Sequence, residues 1–125
     1  MIELKKELDW TVGLNQFTGT EHWYRNTFGM LYTDGMKYVA ENAKAYWLID
    51  LIESWQPEIR KRYGADASAF QVWKLSKKDD GTWLARCEDG NNGYLVSQAI
   101  EYSSFPIPFF EMWLTNNTLI LPSEY

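Results

Sequence analysis

The chain has a single cysteine and a single histidine among its 125 residues. Cys87 has no second cysteine to bond, so an intrachain disulfide is excluded. A structural zinc site draws on a cluster of Cys and His side chains, and Cys87 with the distant His22 cannot supply one. No metal site is therefore expected. Long apolar runs are missing too: none approaches the roughly 20 residues of a membrane span. The opening MIELKKELDW scatters charge where a secretory leader would be apolar. Basic charge is scarce, with 12 Lys and Arg against 17 Asp and Glu, a net charge of -5. Binding to a phosphate backbone rests on Lys and Arg releasing counterions, so direct nucleic-acid binding is not expected. The one basic run, Arg60-Lys61-Arg62, suits a solvated helix end. The glycines form neither a Walker loop nor a dinucleotide fingerprint, and no cofactor is implied. Repeats and low-complexity linkers are absent as well. These exclusions leave a single cytoplasmic domain over residues 1–125, with no membrane partner.

What the chain has in abundance is rings. Seven Trp, eight Tyr and six Phe make up 17% of it. Such side chains bury large areas, and Trp and Tyr each carry a polar atom that needs a partner. They serve either a ring-rich core or an aromatic surface. Acidic charge is uneven. Residues 1–63 hold eight Lys and Arg against nine Asp and Glu, whereas residues 64–125 hold four against eight.

The chain changes character near Gly64. Before it, helical spacing dominates. Ile2, Leu4 and Leu8 suit a short helix over residues 2–10. The stretch FTGTEHWYR, Phe17 to Arg25, reads as an entry turn and a short strand from Thr20, with Glu21, Trp23 and Arg25 facing one way and His22 and Tyr24 the other. A second short strand covers Met30 to Thr33. Asp34 is placed to cap the helix that follows. Leu48, Leu51, Ile52 and Trp55 recur on one helical face, with Lys44, Asp50 and Glu53 on the far side. One long helix is expected, or two with a break near Asn42. Pro57 opens a further turn that Gly64 ends. After Gly64, strands alternate with turns. Strand patterns cover Phe70 to Lys77, Thr82 to Glu88, Tyr94 to Tyr102, Phe109 to Thr115 and Thr118 to Leu121. Their sum predicts an α+β fold: an antiparallel sheet of about four or five strands, mainly from the C-terminal half, with the helices on one face.

The candidates for chemistry cluster around FTGTEHWYR. Only His22 has an ordinary pKa suited to a neutral-pH base. Glu21 precedes it on a strand, so the two side chains diverge and form no dyad. His22 meets Asp34, Asp50 or Glu41 only through the fold. Thr20 offers a hydroxyl beside Gly19, and Arg25 could clamp an anion. Tyr24 and Trp47 could wall a pocket, or fill the layer between helix and sheet. Asp50 sits in an apolar context, either on the solvent side of its helix or as a carboxylate accepting from Tyr, Trp or Arg25. Cys87 faces the same side as Trp83 and reads as an inert small hydrophobe. The turn Asp89-Gly90-Asn91-Asn92-Gly93 fails as a calcium loop, because its glycines fall at the wrong positions and no Glu closes it.

The blocks FTGTEHWYR, LYTDGMKYVAE, AYWLIDLI and the terminal LPSEY resemble, in that order, a family of small bacterial proteins. That family is carried mainly by cyanobacteria and by mobile or phage-like elements, and is known only as a domain of unknown function. The resemblance spans Phe17 to Tyr125 and implies a single-domain protein. It implies no activity and no catalytic residues. Two functions follow from the residues. The first is a protein-interaction or accessory module whose acidic second half suits a basic protein partner. The alternative is a small-molecule-binding or hydrolytic domain, its pocket lined by Thr20, Glu21, His22, Tyr24, Arg25, Asp34, Trp47 and Asp50. Self-association through the proline-marked Phe105–Phe110 stretch would add a homodimer.

Overall fold

The structure, a computed structural model, describes residues 13, 16–91 and 93–125. The helix expected over residues 2–10 lies outside the described residues. Seven strands form one sheet in the order β1-β2-β7-β6-β3-β4-β5. They are β1 (Trp23–Arg25), β2 (Leu31–Thr33), β3 (Phe70–Lys77), β4 (Trp83–Glu88), β5 (Tyr94–Ile100), β6 (Phe109–Thr115) and β7 (Thr118–Ile120). Two helices, α1 (Asp34–Asn42) and α2 (Tyr46–Ala69), connect the first two strands to the rest.

The fold is α+β as expected, but the sheet is larger than four or five strands and is not wholly antiparallel. β7 pairs antiparallel with β6 and parallel with β2, and so joins β1 and β2 to the C-terminal meander. A three-residue strand has little alternation of its own, so its pairing partner is decided by the fold.

The core lies between helices and sheet. Trp73 and Leu75 of β3, Ala85 and Cys87 of β4, and Met112 and Leu114 of β6 meet Leu48, Ile49, Ile52 and Ile59 of α2 in one cluster. Each large aliphatic or aromatic side chain buried this fully contributes about 1.5–3 kcal/mol. The helical face is rotated from the one expected: Ile49 and Gln56 turn inward with Ile52, while Leu51 and Trp55 stay half-buried. Gln56 and Gln71 form a reciprocal amide pair inside this layer, at 3.0 and 2.8 Å, and Gln71 Oε1 also accepts from the Trp73 indole at 2.8 Å. Polar atoms taken from water need such partners, so the pair fixes how α2 sits on β3.

The break near Asn42 is real and divides α1 from α2. Pro57 opens no separate turn; it lies inside α2. Gly64, at φ 85° and ψ -176°, ends the helical run as expected, and a second helical segment follows it across a kink within α2. On the opposite face of the sheet, Phe70, Trp113 and Tyr125 pack edge to face, with ring centroids 5.3 to 6.2 Å apart. No described helix is long and apolar enough to cross a membrane.

Candidate functional site

Thr20 is the hinge of FTGTEHWYR. Its hydroxyl donates to the His22 carbonyl at 2.6 Å and accepts from the Asp34 backbone N–H at 3.0 Å. Asp34 returns the contact. Oδ2 accepts from the amides of Glu21 at 3.0 Å and His22 at 3.3 Å, and Oδ1 accepts from the Tyr24 hydroxyl at 2.9 Å. The Glu21 amide, foremost, holds the Asp34 carboxyl below its usual range. The same carboxylate raises the Tyr24 hydroxyl. His22 Nδ1 stands 3.7 Å from Asp34 Oδ1, with its side chain mostly in solvent. Tyr24 stacks on Tyr32 at 5.5 Å, and the Lys37 ammonium lies 4.4 Å from its ring centre.

Asp34 is therefore not the N-cap expected from its position. Thr33 takes that place, its hydroxyl accepting from the Met36 N–H at 3.3 Å, and Asp34 becomes the first residue of α1, turned back on the entry turn. The remaining cap comes from the far end of the chain. Glu124 Oε2 accepts from the Gly35 N–H at 3.1 Å, and Oε1 accepts from the Thr33 hydroxyl at 2.6 Å and the Leu121 N–H at 2.9 Å. A Cβ on Gly35 would come within 2.6 Å of that carboxylate, so only glycine lets it approach.

A second carboxylate departs further from expectation. Glu53 does not face solvent; it is 6% exposed. Oε2 accepts from the Met30 N–H at 2.8 Å, Oε1 from the Asn26 amide at 2.8 Å, and both oxygens from the Phe28 N–H at 3.2 Å. Glu53 thus shapes the turn between β1 and β2. Asp50, exposed one helical turn earlier, accepts from the same Asn26 amide at 2.9 Å.

Of the eight candidate residues, the structure gathers Thr20, Glu21, His22, Tyr24 and Asp34 at the β1 edge, with Asp50 beyond Asn26. Arg25 is exposed at the end of β1. Trp47 lines a different hollow, with Lys44, Ile100 and Tyr102 at the β5 edge. Among the described residues no three or more His, Cys, Asp or Glu side chains are placed to hold a metal.

The feature that the sequence did not signal is a cleft of about 360 Å³ near β1, β2 and β7. Trp23 and Tyr125 line it, with Thr20, Thr115, Asn116 and Glu124. Both rings are largely exposed, Trp23 at 59% and Tyr125 at 77%. Their positions are about a hundred residues apart in the chain, so no local pattern announces them. Neither a curated protein nor a solved structure matches the chain. A family of unknown function, DUF6876, has a model that matches residues 9–125, and the protein belongs to that family.

Proposed function

We propose that the protein is an interaction module that takes a basic segment of a partner protein into the cleft lined by Trp23 and Tyr125. The observation that carries this is the make-up of the cleft: two exposed rings, neutral hydroxyl and amide groups, one carboxylate and no lysine or arginine. A cation over an indole or phenol face is attracted by the ring quadrupole, worth about 0.5–2 kcal/mol. The net charge of -5 favours the same partner and disfavours nucleic acid. Trp and Tyr anchors are also the residues that most often dominate protein interfaces. The lone, buried thiol of Cys87 suits a reducing cytoplasmic setting.

A hydrolytic pocket on FTGTEHWYR is less favoured. The Asp34 oxygens are engaged by two backbone amides and a phenol, and His22 stands in solvent beside them. Arg25 and Trp47 do not converge on that point.

The test is NMR titration with a lysine- and arginine-rich peptide, with an acidic peptide of equal length as control. The basic peptide is expected to move the Trp23 indole and the Thr115–Thr118 amides, and Trp23→Ala to weaken binding by about tenfold or more. If those resonances stay still, or both peptides move them equally, the proposal fails.

A further inference from the structure

We infer that two copies of this chain pair through the edge of β5, which no described strand covers, antiparallel about a twofold axis, to make one continuous sheet. The two edges of the sheet differ sharply. β1 is three residues long and ends at Arg25, whereas β5 is seven residues, YLVSQAI, with no charge, proline or glycine. Edge strands are ordinarily blunted by charge, proline or brevity, because unpaired N–H and C=O groups template a further strand. β5 carries only a shift of register at its start, between Tyr94 and Val96 opposite Glu88 and Cys87.

Helix α2 adds a strip of rings beside this edge. The Tyr63 hydroxyl donates to the Leu95 carbonyl at 2.7 Å, and the Trp55 indole donates to Gln98 Oε1 at 2.8 Å. Trp47 lines a groove of about 220 Å³ with Ile100 and Tyr102. Rising numbers in α2 thus meet falling numbers in β5. Tyr63, Trp55 and Trp47 stand in a row along the strand.

Three observations select a second copy as the occupant. An uncharged strand offers nothing to select a charged partner, yet it can lie against itself with no like charges opposed. A twofold axis near Ser97 and Gln98 reverses the row of rings, so Trp47 of one copy approaches Tyr63 of the other and the two Trp55 rings flank the axis. Such a contact is self-complementary, as a twofold interface must be. Exposed ring area points the same way. Tyr63, Tyr94 and Tyr102 are 43%, 51% and 81% exposed. Together they offer about 350 Å², toward the roughly 800 Å² per partner of a standard interface. The strand edge with its exposed Gln98 and Ala99 adds to this.

The experiment is sedimentation velocity over a wide concentration range, paired with hydrogen exchange of the β5 amides. The mass is expected to rise from 14.7 kDa toward twice that value, with β5 exchange slowing as it does. Ala99→Lys brings a hydrated charge onto the shared strand edge and is expected to weaken dimerisation by about tenfold or more; Ala99→Glu does the same with the opposite sign. Asp79→Lys, in the β3–β4 turn, is expected to leave the dimer intact. Near-ultraviolet circular dichroism confirms that each variant is folded. The inference is overturned by a monomer at every concentration, by growth beyond the dimer, by a dimer whose protection falls on Phe105–Phe110 and not on β5, or by a dimer that both Ala99 variants leave unchanged. None of these results touches the Trp23–Tyr125 cleft, which lies toward the other edge of the sheet.

Discussion

A carboxylate in a cluster of His, Tyr and Thr invites a catalytic reading, and the bonds of Asp34 argue for a mechanical one. Its oxygens hold the backbone of Glu21 and His22 and the hydroxyl of Tyr24. The pH dependence follows from the direction of its shift. The folded carboxyl sits below its ordinary value of 3.8, so its stabilising contribution is complete above that value and is lost as pH falls through the lower folded one. Protection of the Glu21 and His22 amides, relative to intrinsic exchange, is thus expected to persist just above pH 3.8 and to be lost only in stronger acid. Asp34→Asn is expected to reduce it at neutral pH; protection equal to that of the unsubstituted protein would refute the fastening role. Cys87 shifts the other way. Burial, foremost, pushes its thiol up to about 12 from 9.0. The folded state holds the proton more tightly, so the contribution of the neutral thiol is present below pH 9.0 and fades as pH rises through 9.0 toward 12. A thiol-specific reagent at neutral pH is expected to label Cys87 only after denaturation, and rapid labelling of the native protein would contradict its burial.

At the scale of elements, the N-terminus of α1 is held by two residues of unlike origin. Thr33 is its neighbour, and Glu124 is 91 positions from Thr33. Thr33→Ala is expected to cost about 1 kcal/mol, as loss of a threonine cap does. Glu124→Ala removes three hydrogen bonds to a carboxylate and is expected to cost about 2–3 kcal/mol. Thermal unfolding of both variants ranks them, and an Ala at Glu124 milder than one at Thr33 would overturn the assignment. The contrast also explains what the sequence could reveal. The strands Phe70–Lys77 and Phe109–Thr115 were legible residue for residue, because both are long, and the second alternates between core and surface. Helix α2 was legible as a helix, but its inward face was not. Apolar spacing pointed to Leu51 and Trp55, whereas the fold turned Glu53 and Gln56 inward, where Asn26, Phe28, Met30 and Gln71 satisfy them. A buried polar side chain looks solvent-facing in a sequence until its partner is known. The strand expected from Thr20 begins only at Trp23, because Asp34 takes the amides of Glu21 and His22 in a clasp that no local pattern announces.

At the scale of the whole molecule, β7 is the piece that unites the two halves separated near Gly64. It lies between β6 and β2, and its parallel pairing with β2 sets Leu31 beside Thr118 and Tyr32 beside Leu119. Parallel neighbours need long crossovers, and here the crossover is residues 34–117, about two thirds of the chain. The turn after β7 then returns Glu124 to the start of α1. An N-terminal unit of β1, β2 and α1 consequently has no completed sheet or helix cap without the C-terminus. This arrangement predicts a single cooperative transition for the described residues. In the Glu124→Ala variant, helical ellipticity and near-ultraviolet aromatic signals are expected to shift together to lower temperature, by roughly 3–5 °C for each kcal/mol lost. If the helical signal instead melts early while the aromatic core of Trp73 and Trp83 keeps its original midpoint, the halves are independent and the uniting role of β7 is refuted. Coincident curves displaced by the same amount would show that a contact spanning the chain is felt by every layer at once.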